Sequence, residues 1–237
     1  MSAADAALER VLERSRSRGF LGPGSVRVHV EHGRGFAAGV PHAPARALDL
    51  GSGGGVPGLV LAATWPDCEL VLLDAGQRRC EFLAEAVDEL GLGERVRVVR
   101  GRAEAAGRDP ALRGRFDAVV ARGFGPPAVT AECGAPFLHV GGRMVVSDPP
   151  VDGEGRSGSA PPRPAEPGDL PGDDVAAASS PAAAPSERWP SAGVALLGLA
   201  VDAAWDRPFH YHSLVLERPC PDRYPRRDGM PAKRPLF

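Results

Sequence analysis

Paired cysteines are absent from this chain of 237 residues. The four cysteines are Cys68, Cys80, Cys133 and Cys220; none forms a Cys-x-x-Cys pair or lies at zinc-site spacing from a histidine. The spacing therefore excludes the common zinc-finger and redox motifs and gives no support to a disulfide framework. We predict reduced thiols, no metal centre and a cytoplasmic location.

Long apolar runs are also absent. No run approaches the length of about 18 residues that indicates a membrane-spanning helix, and we expect no secretory leader and no membrane contact. The chain has no excess of basic charge, with a net charge of -2, which excludes a general attraction of the whole protein to nucleic acid. Its length is sufficient for one α/β domain, which we expect to be a monomer.

The glycine-rich stretch over 45–61 organises the rest of the sequence. A short apolar run containing Asp49 predicts a buried strand, and the apolar run after Pro57 predicts a helix. Between them lie three glycines at alternate positions, Gly51, Gly53 and Gly55. A strand, a glycine turn and a helix in this order hold nucleotide-like ligands in doubly wound sheets. A glycine turn that only packs a strand against a helix is the alternative.

The spacing of the glycines distinguishes two kinds of ligand. A dinucleotide fingerprint would require a glycine at position 56, which is Val56. An acidic residue followed by alternating glycines resembles instead the first motif of class I methyltransferases, which bind S-adenosylmethionine. The sulfonium and amino groups of that cofactor are cationic, so the nearby carboxylate of Asp49 favours it. We therefore predict that Asp49 and the three glycines bind this cofactor.

A second acidic residue ends the next apolar run. Residues 70–73 are continuously apolar, as expected for a strand buried on both faces, and Asp74 follows them. A carboxylate about 20 residues after the glycine turn commonly accepts hydrogen bonds from ribose hydroxyls. We predict this role for Asp74; an ordinary aspartate at a strand end is the weaker alternative.

Predicted strands and helices alternate along the chain, and this order predicts an α/β fold. Predicted strands cover 46–50, 70–74, 96–100, 117–121, 143–147, 194–201 and 210–217. Predicted helices cover 3–18, 26–38, 57–64, 77–91, 103–113 and 126–138. Alternation of this kind implies a parallel sheet. The resemblance to class I methyltransferases adds a C-terminal antiparallel hairpin to this Rossmann-like, mostly parallel sheet.

Composition divides the chain into four parts. They are an N-terminal helical segment (1–44), an S-adenosylmethionine-binding core (45–150), an insertion (151–188), and the final strands and basic tail of the same domain (189–237). The insertion is rich in proline, alanine, glycine and serine and has few large aliphatic residues. Such a segment cannot bury enough apolar surface to offset its ordering entropy, so we predict that it is disordered.

Several motifs together resemble one bacterial family. They are LDLGSGGGVPGL at 48–59, LLD at 72–74, GRAE at 101–104, FDAVVARG at 116–123 and the basic ending YPRRDGMPAKRPL at 224–236. These stretches are similar to the glucose-inhibited-division B family, the bacterial 16S ribosomal RNA guanine-N7 methyltransferases. The resemblance covers roughly 45–150 and 192–237. It implies S-adenosylmethionine as cofactor and ribosomal RNA or the 30S subunit as partner.

The resemblance also implies individual site residues. It implies cofactor contacts at Gly51, Val56, Asp74, Ala103, Glu104 and Arg122. For Glu104 a solvated carboxylate at a helix start is an equal alternative, and for Arg122 the alternative is a surface ion pair. In the basic tail we predict that Arg226 and Arg227 contact the RNA substrate.

Two departures from the family pattern leave the methyl acceptor open. The N-terminal segment lacks the family's tryptophan- and asparagine-rich stretch, and Asp148 with two prolines replaces a lysine-glycine pair after the fifth strand. A methyltransferase acting on a small molecule, a protein or an exocyclic amine, and a binding module without activity, are the alternatives. Transfer to guanine N7 needs no general base, because no proton blocks that lone pair. No catalytic side chain is therefore predicted. His29, His32 and His42 could line a pocket, but isolated histidines are more often structural or solvated.

Overall fold

The computed structural model describes residues 3–148, 188–206 and 209–237. Within these ranges the helices are α1 (Ala3–Ser17), α2 (Val26–Gly35), α3 (Gly58–Thr64), α4 (Gln77–Glu89), α5 (Ala103–Ala106), α6 (Pro127–Gly134), α7 (Ser191–Ala195) and α8 (Met230–Lys233). The strands are β1 (Arg46–Leu50), β2 (Glu69–Asp74), β3 (Val96–Arg100), β4 (Phe116–Arg122), β5 (Leu138–Ser147), β6 (Leu199–Trp205) and β7 (Tyr211–Leu216). The predicted disordered insertion lies outside the described residues, except for Arg188.

The strands of the described ranges form one sheet in the order β3-β2-β1-β4-β5-β7-β6. Strands β1 to β5 pair in parallel, whereas β7 is antiparallel to both β5 and β6. This arrangement confirms the predicted α/β fold, a mostly parallel sheet with a C-terminal antiparallel hairpin.

Apolar side chains pack on both faces of the sheet. In β2, Leu70 and Leu72 join the cluster under α1 to α4, while Val71 and Leu73 join the cluster under α5 to α7. The alternation follows from the two-residue period of a strand. The N-terminal segment belongs to the first cluster, in which Leu12 of α1 is fully buried.

Two predicted helices are shorter in the structure. The helix predicted over 103–113 ends at Ala106, and Pro110 disfavours a helical conformation at Asp109, so the helix does not continue beyond this point. The helix predicted over 126–138 ends at Gly134 and is followed by a short 3-10 turn, so β5 begins earlier than predicted.

The strand predicted over 194–201 is wrong in its first half. Residues Ser191–Ala195 form α7, and Gly198, with φ of +83°, turns the chain into β6. Val194 is buried in the core as a helical residue, which explains why its apolar character resembled that of a strand. The second predicted strand of the hairpin matches β7.

Candidate functional site

The candidate site lies at the carboxyl edge of the parallel strands. Strands β1 and β4 are neighbours, while the helices that follow them, α3 and α6, belong to core clusters on opposite faces. Doubly wound sheets open a ligand crevice at such a switch point. The glycine loop follows β1, Asp74 ends β2 and Arg122 ends β4, so all three lie at this edge.

The glycine loop has a backbone that glycine adopts most readily. Gly51, Gly53 and Gly55 have φ of +73°, +52° and +92°, all in the left-handed region. The N–H groups of Gly51 and Ser52 donate to Leu73 O at 2.8 and 3.0 Å, which ties the loop to the end of β2. A Cβ on Gly51 would lie 2.7 Å from the Phe124 ring, whereas one on Gly53 would lie 3.7 Å from its nearest neighbour. The loop therefore has space for a ligand at Gly53.

Asp49 lies beneath this loop as a fully buried carboxyl group. Its Oδ2 accepts a hydrogen bond from Gly58 N at 2.9 Å, at the first turn of α3. Its Oδ1 is buried and has no hydrogen-bond partner among the described residues. Burial raises the pKa of Asp49 to about 7, although the hydrogen bond from Gly58 acts in the opposite direction. A buried carboxyl oxygen without a hydrogen-bond partner is suited to a cationic donor.

Asp74 is buried at the end of β2, with 5% of its surface exposed. Its Oδ2 accepts from Gly53 N at 2.8 Å, and its Oδ1 accepts from Gly76 N at 2.7 Å and from Arg79 Nε at 2.9 Å. The carboxylate therefore holds the glycine loop. A carboxylate has about four lone-pair sites, so one remains for a ligand hydroxyl, and the half-exposed Arg79 can release another.

The next three residues implied by the resemblance are buried close to the sheet edge. Val56 and Ala103 are each 6% exposed and belong to the two core clusters. Glu104 is also 6% exposed, and its Oε1 accepts from Gly229 N at 3.0 Å and from Arg102 at 3.3 Å. Burial alone would raise the pKa of Glu104, but these donors hold it below its usual value. Glu104 therefore joins the carboxyl edge of the parallel strands to the C-terminal tail.

Arg122 at the end of β4 contacts a residue of the N-terminal segment. Its Nη2 donates to Nδ1 of His29, on α2, at 2.8 Å. Burial lowers the pKa of Arg122, while Tyr211 and Asp49 act in the opposite direction. The ring of His32, one turn further along α2, stacks on Phe209 with centroids 4.1 Å apart.

Sequence reasoning allowed that His29 could line a pocket but gave it no role, and it did not predict the contact with Arg122. The available signal was the spacing of His29 and His32, which places them on one face of a helix. Burial, with Arg122 second, lowers the pKa of His32 to about 3, so this imidazole is neutral.

Arg226, which is predicted to contact RNA, is hydrogen-bonded to Glu132 in the structure. Its backbone N and its Nε donate to Oε1 of Glu132 at 2.8 and 2.9 Å, and its Nη2 donates to Oε2 at 2.7 Å. Glu132 is fully buried in α6. The charge of Arg226 is therefore neutralised inside the fold, whereas its neighbour Arg227 is exposed.

Two arginines form hydrogen bonds with the backbone of the segment just before Arg226. Arg113 donates to the carbonyls of Cys220, Pro221 and Tyr224 at 2.7 to 3.2 Å. Arg108 donates to Pro225 O at 2.8 and 3.0 Å. This part of the basic tail is a packed element of the domain.

Asp148, which replaces a basic residue of the family pattern, is engaged in internal ion pairs. Its carboxylate lies 2.7 Å from Nδ1 of the buried His212 and 3.3 Å from Nε of Arg188. Burial would raise the pKa of Asp148, but His212 and Arg188 hold it below its usual value. The two prolines after Asp148 lie outside the described residues.

The described residues contain no cluster of three or more histidine, cysteine or acidic side chains that could hold a metal ion. No helix of the described ranges is long and apolar enough to cross a membrane.

The family model and the relatives found by sequence comparison carry the same name. A family described as rRNA small subunit methyltransferase G matches residues 37–147. Ribosomal RNA small subunit methyltransferase G of Symbiobacterium thermophilum is 36% identical over 202 residues, which cover 81% of this chain and 70% of the relative. The protein of the same name from Moorella thermoacetica is 32% identical over 199 residues, with the same coverage of 81% and 70%.

Solved structures agree on the fold. The cofactor-bound Rv0187 protein from MTB superposes with a TM-score of 0.60 at 17% identity, covering 90% of this chain and 91% of that one. A provisionally assigned O-methyltransferase from Klebsiella pneumoniae gives a TM-score of 0.59 at 16% identity, covering 90% of both chains. These neighbours place the sheet in the class I methyltransferase fold.

Proposed function

The chain belongs to the ribosomal RNA small subunit methyltransferase G family, and from this membership we propose that it transfers the methyl group of S-adenosylmethionine to N7 of a guanine in small-subunit ribosomal RNA. Membership makes the chain an S-adenosylmethionine-dependent methyltransferase. The N7 atom, the RNA contacts and the role of each site residue are parts of the proposal. We also propose that the protein acts as a cytoplasmic monomer, without a metal ion, on ribosomal RNA or the 30S subunit.

The buried Oδ1 of Asp49 is the observation that carries the proposal. This oxygen lacks a partner among the described residues and lies under a loop with space for a ligand at Gly53. An unsatisfied buried acceptor is unfavourable until a donor reaches it. The ammonium group of the cofactor's methionine part is such a donor, and it also neutralises the charge of the ionised carboxylate. The buried acceptor of Asp49 therefore fits the ammonium group of S-adenosylmethionine.

The other predicted residues have complementary roles in this proposal. Asp74 accepts from the ribose hydroxyls through its remaining lone pairs while it continues to hold Gly53. Arg122 binds the cofactor's carboxylate, because a guanidinium has five N–H donors. Ala103 and Glu104 border the adenine, and Val56 closes the loop from the core side.

The chemistry requires little from the protein beyond positioning. The bound cofactor supplies an activated methyl group on a sulfonium. The guanine N7 lone pair is free of a proton at neutral pH, so no side chain has to act as a general base. The residues of the crevice hold the two reactants in line and exclude water, and such positioning can supply a large part of the rate enhancement. The absence of a predicted catalytic side chain is consistent with this reaction.

Exposed basic residues of the tail are the proposed RNA contacts. Arg226 is committed to Glu132, so the available charges are those of Arg223, Arg227, Lys233 and Arg234, which are exposed. The backbone N–H of Gly229, which lies between them in the chain, donates to Glu104 at the carboxyl edge of the parallel strands. The tail thus carries positive charge next to the crevice, where the phosphates of a bound RNA would lie.

Methyl transfer to defined RNA tests the function. The purified protein is incubated with methyl-labelled S-adenosylmethionine and either 16S ribosomal RNA or 30S subunits from a strain that lacks this modification. We expect label in 7-methylguanosine after nuclease digestion and mass spectrometry. Asp74→Ala is the matched negative control, and its affinity for the cofactor should fall by about 1–3 kcal/mol. If the protein binds the cofactor but no label appears in RNA, the methyl acceptor is not this RNA, and a small molecule or a protein becomes the favoured acceptor.

A further inference from the structure

His29 makes two hydrogen bonds that define its chemical state. Nδ1 accepts from Arg122 Nη2 at 2.8 Å, and Nε2 lies 3.1 Å from the carbonyl oxygen of Gly22. An arginine can only donate and a carbonyl can only accept. The imidazole must therefore carry its proton on Nε2 and leave Nδ1 bare. The residue is buried, with 4% of its surface exposed.

The surroundings of His29 favour this neutral form. Burial lowers the pKa of His29, and the positive charges of Arg122 on β4 and Arg16 on α1 act in the same direction. A second proton would place an N–H against the donor of Arg122. The neutral imidazole consequently acts as a fixed acceptor.

One fixed hydrogen bond determines the orientation of the Arg122 guanidinium. The group is planar and rigid, so anchoring one Nη restricts where its other N–H groups point. Within the described residues no further hydrogen-bond partner is found for these N–H groups. Arg122 ends β4, next to the crevice, and Asp49 and Tyr211 lie close enough to influence its pKa.

We propose that His29 is a positioning residue, which holds the Arg122 guanidinium so that its remaining N–H groups meet the carboxylate of the bound cofactor. The inference rests on the proposed role of Arg122 in cofactor binding. It gives helix α2 a role in the site as well as in the core, because His29 lies on this helix. The carbonyl of Gly22, in the loop before α2, fixes the far side of the ring.

Three substitutions separate positioning from packing. Asn places an amide oxygen near the location of Nδ1, whereas Gln places its amide near Nε2 and Ala removes both atoms. We expect His29→Ala to weaken S-adenosylmethionine binding about tenfold in calorimetric titration, the change that the loss of one charged hydrogen bond produces. His29→Asn should restore affinity to within about threefold on the same scale, and His29→Gln should restore thermal stability alone. His42→Ala, an exposed histidine of the same segment, is the matched control.

A double-mutant cycle tests whether His29 acts through Arg122. His29→Ala should have no further effect on affinity once Arg122 is replaced by alanine. Equal affinity of wild type and His29→Ala, equal rescue by Gln and Asn, or additive effects in the cycle would each overturn the proposal.

Nitrogen NMR of the cofactor-free protein gives a readout that does not depend on the proposed function. The Nε2–H tautomer should be present in the wild type, and the Nδ1 resonance should move in Arg122→Ala. Failure of the wild type to bind S-adenosylmethionine would overturn the proposed function and, with it, the cofactor role of His29, while the NMR result would still report the His29–Arg122 bond. The Nδ1–H tautomer would overturn the inference alone.

Discussion

Asp49 is a buried carboxyl group whose pKa burial raises to about 7 in the cofactor-free protein. An unfolded aspartate has a pKa of about 3.9, so between about pH 4 and 7 only the folded state keeps this proton. The unfolded state then binds fewer protons, and the free energy of unfolding falls as pH rises through this window. We expect Asp49→Asn to flatten this decline in denaturant titrations, and an unchanged pH profile would contradict the assigned pKa.

The same residue connects pH to cofactor binding. A cation next to the carboxyl group favours its ionised form, so binding near pH 6 should release a proton from Asp49. We expect the affinity for S-adenosylmethionine to rise more steeply from about pH 6 to 8 in the wild type than in Asp49→Asn. The ligand's own amino group titrates in both proteins, so the difference isolates Asp49. Calorimetry in buffers of different ionisation enthalpy measures the released proton directly, and equal release in both proteins would exclude Asp49.

Adjacent arginines of the tail offer a matched pair for stability. Arg226 neutralises Glu132, which is fully buried, whereas Arg227 is exposed. Arg226→Ala leaves a buried carboxylate without its cation and should lower the free energy of unfolding by about 3 kcal/mol or more. Arg227→Ala should leave it unchanged within about 0.5 kcal/mol. Chemical denaturation of the two variants checks the difference, and similar stabilities would show that the Glu132 ion pair is not required.

At the scale of elements, the contact between α1 and the glycine loop links the N-terminal segment to the site. Ser15 is fully buried and its Oγ donates to Gly54 O at 2.8 Å. A Cβ on Gly54 would lie 2.6 Å from both Ser15 Oγ and Phe20 O, so the loop and the end of α1 are in close contact. The backbone of the glycine loop is thus supported by a helix whose contact residue, Ser15, precedes Gly54 by 39 residues in the chain.

Ser15→Ala tests this support. It removes the donor and leaves the buried Gly54 carbonyl without it, so we expect a loss of about 1–3 kcal/mol of stability together with weaker cofactor binding. Ser17→Ala is the control, because Ser17 is exposed and its Oγ donates only within α1, to Arg14 O at 2.9 Å. Thermal unfolding and calorimetric titration measure both effects. A loss of stability without any change in affinity would separate α1 from the site.

The elements that sequence predicted well are those with strong local signals. Residues 70–73 of β2 are continuously apolar, β1 is apolar apart from Arg46 and Asp49, and the glycine loop between β1 and α3 carries left-handed glycines, so apolar patterning and turn chemistry agreed. β6 was placed wrongly because its alanine-rich segment has little strand propensity and gains its pairing only from β7. The contacts of His29 with Arg122 and of Arg226 with Glu132 were not predictable, because each joins residues more than 90 positions apart.

At the scale of the whole molecule, both ends of the chain pack against the site. The N-terminal helices cover one face of the sheet and reach the glycine loop and Arg122, while the tail crosses the other face and reaches Glu104. The predicted segments 1–44 and 189–237 are therefore in direct contact with the carboxyl edge of the parallel strands. Positive charge is placed at this edge although the molecule carries a net charge of -2.

Salt dependence tests how this charge is used. Each arginine that neutralises a phosphate of single-stranded RNA contributes about 0.7 to the slope of log affinity against log salt. Replacing Arg227 with alanine should therefore reduce the slope for ribosomal RNA by about this amount while leaving cofactor affinity and stability unchanged.

Arg115→Ala is the control of equal charge for this measurement. Arg115 is also exposed, but it precedes β4 and lies at the opposite edge of the sheet from the crevice. Equal slopes for the two variants would show that Arg227 contributes no more to RNA binding than an arginine at the far edge of the sheet, and would contradict the prediction. The field of the whole molecule offers no general attraction for RNA, because its net charge is slightly negative. We therefore expect the slope to fall only in Arg227→Ala, and a wild type without any salt-dependent RNA binding would exclude the tail as an RNA contact.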